Sequence, residues 1–166
     1  MERNMLSLYI MEVVMIVHDI REVRFTEPVI LSGKTRGKLR IVVVDDHKIM
    51  RYSLCHLLST VLGLEVVGVG DNGLTGVERV RELRPALVVM DVRMPVMDGI
   101  EATRLIKAEF PDTIVVGLSS NCSKEVRGQM LAAGAVDLFD KADTGRRLLV
   151  CVKQMLDEAV MQKQVI

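Results

Sequence analysis

Polar residues with the means to do chemistry recur in this chain directly behind short apolar runs. Asp45 and Asp46 follow Arg40–Val44, Asp91 follows Ala86–Met90, and Ser119 and Ser120 follow Thr113–Leu118. Lys141 comes two residues beyond Val136–Phe139. If these runs are neighbouring strands of one parallel sheet, three carboxylates, a hydroxyl and an ammonium meet at a single edge. Gathered carboxylates repel, so one must bind its proton more tightly or a cation must sit among them. A donor set made only of oxygen favours Mg²⁺, which takes one or two carboxylates and fills the rest of its shell with water and phosphate oxygens. In such a cradle an aspartate can attack a phosphoryl group and form an acyl phosphate. Lys141 could then hold one phosphoryl oxygen, and the Ser119 hydroxyl could hydrogen-bond another.

Each residue alone has a plainer reading. An acidic residue behind a strand ordinarily caps the helix that follows, a lysine there is ordinarily solvated, and a single serine means nothing. Their joint placement behind four strands of one repeating unit is what points to phosphoryl transfer.

The elements that would position them are legible from Leu39 onward. Five β-branched runs, Arg40–Val44, Glu65–Val69, Ala86–Met90, Thr113–Leu118 and Val136–Phe139, alternate with segments whose apolar residues fall at helical spacing. Four of the five runs are almost wholly apolar, as strands covered on both faces must be. The helical stripes are Ile49/Met50–Leu54–Leu57/Leu58–Val61, Leu74–Val77–Val80, Ile100–Thr103–Ile106–Phe110, Val126–Met130–Ala133, and Leu148/Leu149–Val152–Met155/Leu156–Ala159. Gly63, Gly73, Pro85, Pro111 and Gly134 punctuate the boundaries. Five βα units read with the right-handed crossover rule give a three-layer α/β/α sandwich around an open parallel sheet. A closed eight-fold barrel would need about twice the length. Open sheets of this kind bind ligands beyond the carboxyl ends of their strands, where the polar residues lie.

Composition narrows the function further. The 166 residues carry 22 Lys+Arg against 22 Asp+Glu, without the basic excess that neutralising a phosphate backbone requires. Direct DNA binding is therefore not expected. Aromatic residues make up 3% with no Trp, too few for a base-stacking platform. Cys55, Cys122 and Cys151 are odd in number and contain no CxxC pair, which fits free thiols in a reducing cytoplasm rather than a disulfide framework or metal cluster. The apolar stretch Leu6–Val17 contains Glu12 and is short of the ~20 residues of a membrane span. The chain is expected to be cytoplasmic and not membrane-bound.

Residues 1–38 lack the rhythm. Met11–Val17 is apolar and Ser32–Lys38 is a Gly- and Lys-rich linker. This segment reads as an N-terminal extension, poorly ordered or helical, and a docking helix that pairs chains is the sharper alternative. Residues 39–160 form the expected domain and 161–166 a C-terminal tail. Apolar spacing from Leu148 to Val160 hints at a long last helix and a homodimer.

The motifs Val42-Val-Val-Asp-Asp-His47, Val88-Val-Met-Asp-Val-Arg-Met-Pro95, Met97-Asp-Gly-Ile-Glu-Ala102, Gly117-Leu-Ser-Ser120 and Ala132-Ala-Gly-Ala135 with Asp140-Lys141 together resemble the receiver domain of two-component response regulators. The local wording is most similar to the subfamily that usually carries a C-terminal helix-turn-helix, and no such segment is expected in these 166 residues. The resemblance implies the flavodoxin-like doubly wound (βα)5 fold with strand order 2-1-3-4-5. It makes Asp91 the phosphoacceptor for a sensor histidine kinase or phosphotransfer protein. Asp45 and Asp46 become the acidic pair that holds Mg²⁺ together with Asp91, and the backbone carbonyl of Arg93 completes the protein's ligands. Ser119 becomes the switch hydroxyl and Lys141 the partner of the phosphoryl group.

One departure bears on output. The family usually has Tyr or Phe three residues before the lysine, and this chain has Leu138. The leading expectation is a stand-alone phosphoacceptor that switches a protein-interaction face toward an unknown downstream protein, with no enzymatic turnover beyond its own phosphorylation and autodephosphorylation. A non-catalytic receiver-like interaction module, or the detached receiver of a hybrid sensor kinase, is the alternative. An aspartyl-nucleophile phosphohydrolase is disfavoured because the strand end reads Asp45-Asp46-His47, not two aspartates with one residue between them.

Overall fold

The structure, a computed structural model, describes residues 38–162. The expected N-terminal extension lies outside the described residues apart from Lys38, as does the end of the expected tail from residue 163. Among the described residues the order is β1 (Leu39–Val44), α1 (Lys48–Ser59), β2 (Leu64–Gly70), α2 (Gly73–Leu83), β3 (Leu87–Asp91), α3 (Gly99–Glu109), β4 (Ile114–Ser119), α4 (Lys124–Ala132), β5 (Asp137–Asp140) and α5 (Thr144–Gln162). Every strand lies within a residue of its expected position.

All strand pairs are parallel, in the order β2-β1-β3-β4-β5. This is the doubly wound sheet expected from the motifs. The two-residue alternation of each strand sorts its side chains to opposite faces. Val42 and Val44 of β1, with Val88 and Met90 of β3, pack against Val77 and Val80 of α2, Ala102 and Ile106 of α3, and Met130 of α4. Their neighbours Ile41, Val43, Leu87 and Val89 face the other way, onto Leu54 and Leu58 of α1 and Leu148 and Val152 of α5. Two apolar layers therefore clamp one sheet, which makes the three-layer sandwich. Two expected stripe members, Ile49 and Leu74, are exposed. The stripe predicted at the far end of α5, from Met155 on, and the dimer read from it fall outside the described side chains.

The helices start where local hydrogen bonding lets them. Asn72 caps α2 in a reciprocal box with Thr75, Asp98 accepts from the Glu101 amide at 2.8 Å to start α3, and Ser123 accepts from the Val126 amide at 3.3 Å to start α4. Each cap fixes how far a loop can travel from the strand before it. That distance sets where the polar residues at the carboxyl edge can point.

Candidate phosphoryl-transfer site

At the end of β1 the chain turns sharply. The Asp45 side chain is fully buried, and its Oδ1 accepts from the His47 backbone N–H at 2.8 Å. Asp45 is therefore not the cap of α1; that position belongs to His47, whose side chain caps nothing. An acidic residue that leaves the helix start uncapped is held for another purpose. Arg51, one turn into α1, donates from Nη1 to the Asp45 carbonyl oxygen and pins the turn from above.

Asp91 is the last residue of β3, in register with Leu118 of β4. It is buried. Behind it the Val92 amide donates to the Leu118 carbonyl at 2.9 Å, and the Gly99 amide donates to the Val92 carbonyl at 2.9 Å. A β-carbon at position 99 would lie 1.9 Å from the Asp91 carbonyl oxygen. Only glycine lets α3 begin directly over the acceptor's own backbone.

Lys141, just past β5, closes the cluster. Its backbone N–H donates to the Ser119 carbonyl at 2.9 Å, which fixes the residue, and its Nζ stands 2.8 Å from Asp45 Oδ2 and 2.8 Å from Asp91 Oδ2. Neither carboxylate oxygen accepts a hydrogen bond from any other described group. Burial pushes the Asp91 carboxyl above its ordinary value; Lys141 opposes this and Asp45 adds to it. Burial pulls the Lys141 ammonium down, but Asp45 and Asp91 outweigh it and the net shift is upward. Asp46 is only partly buried, and its Oδ1 lies 2.8 Å from His47 Nδ1. Each of Asp45, Asp46, His47 and Asp91 offers a donor atom, all within 4.8 Å of one another. Three carboxylates facing one ammonium leave a net negative cradle, and the buried oxygens fit the oxygen-seeking divalent ion that the sequence implies.

The structure thus brings Asp45, Asp46, Asp91 and Lys141 together. Ser119 ends the adjoining strand, but its hydroxyl is engaged within its own loop: Oγ donates to the Asn121 carbonyl at 2.9 Å and accepts from the Asn121 amide at 3.1 Å. The Arg93 amide approaches Asp91 Oδ1 at 3.4 Å, and the Arg93 side chain is exposed. Leu138, at the usual aromatic position, is buried with Met130 of α4, and a β-carbon at Gly117 would come 2.7 Å from its Cδ1. Sequence reasoning missed Arg51 and the imidazole of His47. A base one helical turn past an acidic strand end was the available signal for Arg51. His47 entered the sequence analysis only as the last residue of the Val42–His47 motif.

Residues 41–153 match the family model for the response regulator receiver domain. The response regulator GacA of Pseudomonas viridiflava is 38% identical over 103 residues, covering 62% of this chain and 48% of its own length. The crystal structure of the response regulator domain of Thermotoga maritima CheB is similar with TM-score 0.66 and 31% identity, covering 70% of this chain and 95% of that one. A two-component response regulator of the LuxR family from Aurantimonas sp. SI85-9A1 gives TM-score 0.69 at 27% identity, covering 74% and 87%. The chain spans about half the length of GacA and its curated counterparts in other pseudomonads. No helix among the described residues is long and apolar enough to cross a membrane.

Proposed function

Because the chain belongs to the response regulator receiver family, we propose that it is a cytoplasmic phosphoacceptor in which Asp91 takes a phosphoryl group from a histidine kinase or phosphotransfer protein. The observation that carries this reading is the position of Lys141 Nζ, 2.8 Å from both Asp45 and Asp91 inside a buried acidic cluster. An Asp91 carboxylate oxygen forms the new bond to phosphorus while the phosphorus–nitrogen bond of the donor phosphohistidine breaks, and the imidazole leaves with the electron pair. Lys141 then holds a phosphoryl oxygen. Asp45, Asp46, Asp91 and the Arg93 carbonyl are the groups that would hold Mg²⁺, which when bound neutralises charge on both reactants.

The phosphoryl group adds negative charge and strong acceptors. Ser119 can donate to it only by giving up Asn121, so the loop behind β4 must rearrange. Lys141 is tied to the Ser119 carbonyl, and the loop behind β5 therefore responds as well. The face formed by α4, β5 and α5 is where this rearrangement would alter affinity for a downstream protein. The two apolar layers close around the sheet with residues 39–152, which supports a receiver that folds as a unit.

The test is incorporation of labelled phosphate from a small phosphodonor in the presence of Mg²⁺. Wild type should be labelled and Asp91→Asn, with its fold intact by circular dichroism, should not. Wild-type labelling of the mutant would overturn the assignment. A pull-down with and without beryllofluoride would then identify the recipient.

A further inference from the structure

His47 stands out once the phosphoacceptor chemistry has been assigned, because that chemistry makes no use of it. Its Nδ1 lies 2.8 Å from Asp46 Oδ1 and 3.6 Å from Asp45 Oδ1, on the rim of the same cradle. The side chain is otherwise largely exposed and caps no helix, so packing does not explain where the ring points. The cradle holds two buried carboxylate oxygens, Asp45 Oδ2 and Asp91 Oδ2, whose one ion-pair partner among the described residues is the Lys141 ammonium. One ammonium cannot neutralise three carboxylates, so the cluster needs a cation, and the imidazole within reach of the same donor set is that of His47.

We propose that His47 is a fifth protein ligand, through Nδ1, beside the three carboxylates and the Arg93 carbonyl, and that with it the cradle binds first-row transition metals of the Ni²⁺ and Zn²⁺ class more tightly than Mg²⁺. The proposal rests on the reading of the cluster as a divalent-cation site and adds a donor that this reading does not contain. Carboxylate and carbonyl oxygens suit Mg²⁺, whereas imidazole suits Zn²⁺, Cu²⁺ and Ni²⁺. Two ligands on opposite sides of an ion at about 2.1 Å stand about 4.2 Å apart. The four donor atoms lie within 4.8 Å of one another, near the span of a single shell, and ligation would draw them inward. His47 opens α1 and its side chain is solvent-facing, so the ring can make that movement without disturbing the core.

The experiment uses the untagged full chain and the metals alone. Titration with Mg²⁺ and with Ni²⁺ should show binding of both, with Ni²⁺ tighter; His47→Ala should lose tenfold or more in Ni²⁺ affinity and keep Mg²⁺ affinity within about threefold. Mn²⁺ loaded in competition with Mg²⁺ should show histidine nitrogen modulation in its electron spin echo, absent in His47→Ala. His47→Gln separates ligation from positioning, since an amide can hydrogen-bond Asp46 but supplies no imidazole nitrogen. Recovery of Ni²⁺ affinity in His47→Gln, or Mn²⁺ bound without nitrogen modulation in wild type, overturns the proposal while leaving the cation site standing. Absence of any Mg²⁺, Mn²⁺ or Ni²⁺ binding overturns both.

Discussion

The carboxyl edge of the sheet has two unlike halves. On the β1 and β3 side, Asp45 and Asp91 are buried and their backbones are locked, one by Arg51 and its turn, the other by Gly99 pressed on the Asp91 carbonyl. On the β4 and β5 side Ser119 bonds within its own loop to Asn121, Arg127 of α4 holds the start of β5 through the Asp137 carboxylate and the Leu138 carbonyl, and Lys141 beyond β5 reaches across to the locked half. The first half presents unneutralised charge in a fixed geometry. The second presents hydrogen bonds that can be exchanged for others. Chemistry that must be repeated in one geometry belongs on the locked half, and a response that must have two states belongs on the half whose bonds have alternatives.

The largest effect that would break this contrast lies at Gly99. A methyl group there has no room against backbone, so α3 must move off the end of β3 and carry the Asp91 turn with it. Gly99→Ala should cost more than about 3 kcal/mol in denaturant unfolding, the upper range for overpacking. It should also lower phosphate incorporation in whatever protein remains folded. A variant of wild-type stability would show that the acceptor's backbone is not locked.

Next comes Leu138, which occupies the position of the usual aromatic switch. It is as buried as any core residue, enclosed by Met130 and by the gap that Gly117 leaves. Leu138→Ala should cost about 3 kcal/mol, as for other buried leucines. If Leu138 follows the hydroxyl of Ser119 inward on activation, the same variant should also weaken the dependence of partner binding on beryllofluoride. A large stability loss with the beryllofluoride response unchanged would make Leu138 a core residue only, and the mobile half would then consist of backbone and Arg127.

These two residues also show what was legible in the sequence. The five strands followed from β-branched runs, because a strand buried on both faces has few compositional alternatives, whereas their order came only from the family resemblance. The cluster of Asp45, Asp46, Asp91 and Lys141 followed from the same periodicity, since parallel strands bring their carboxyl ends to one edge whatever lies between them. The state of Ser119 did not follow. Its hydroxyl can serve Asn121 or a phosphoryl group, and the choice depends on loop geometry that no period encodes. The exposure of Ile49 and Leu74 was equally hidden, because a stripe marks which face of a helix is apolar and not how far that face extends past the sheet's edge.

The smallest effect tests the electrostatics of the locked half directly. Burial raises the affinity of Asp91 for its proton in the folded protein, Lys141 only partly offsets this, and Asp45 reinforces it. The folded state therefore binds that proton more tightly than the unfolded chain does. Ionised Asp91 costs stability at neutral pH, and the cost disappears as pH falls through its folded value. Asp91→Asn, which keeps the shape and removes the charge, should thus raise the metal-free melting temperature at pH 7 by less than the losses expected at Gly99 and Leu138. The difference from wild type should narrow as pH is lowered. Added Mg²⁺ should reverse the ranking, since it stabilises only a protein that keeps the full acidic set. A wild type more stable than Asp91→Asn at neutral pH without metal would mean that Lys141 already neutralises the site, and that the locked half carries no unmet demand for a cation.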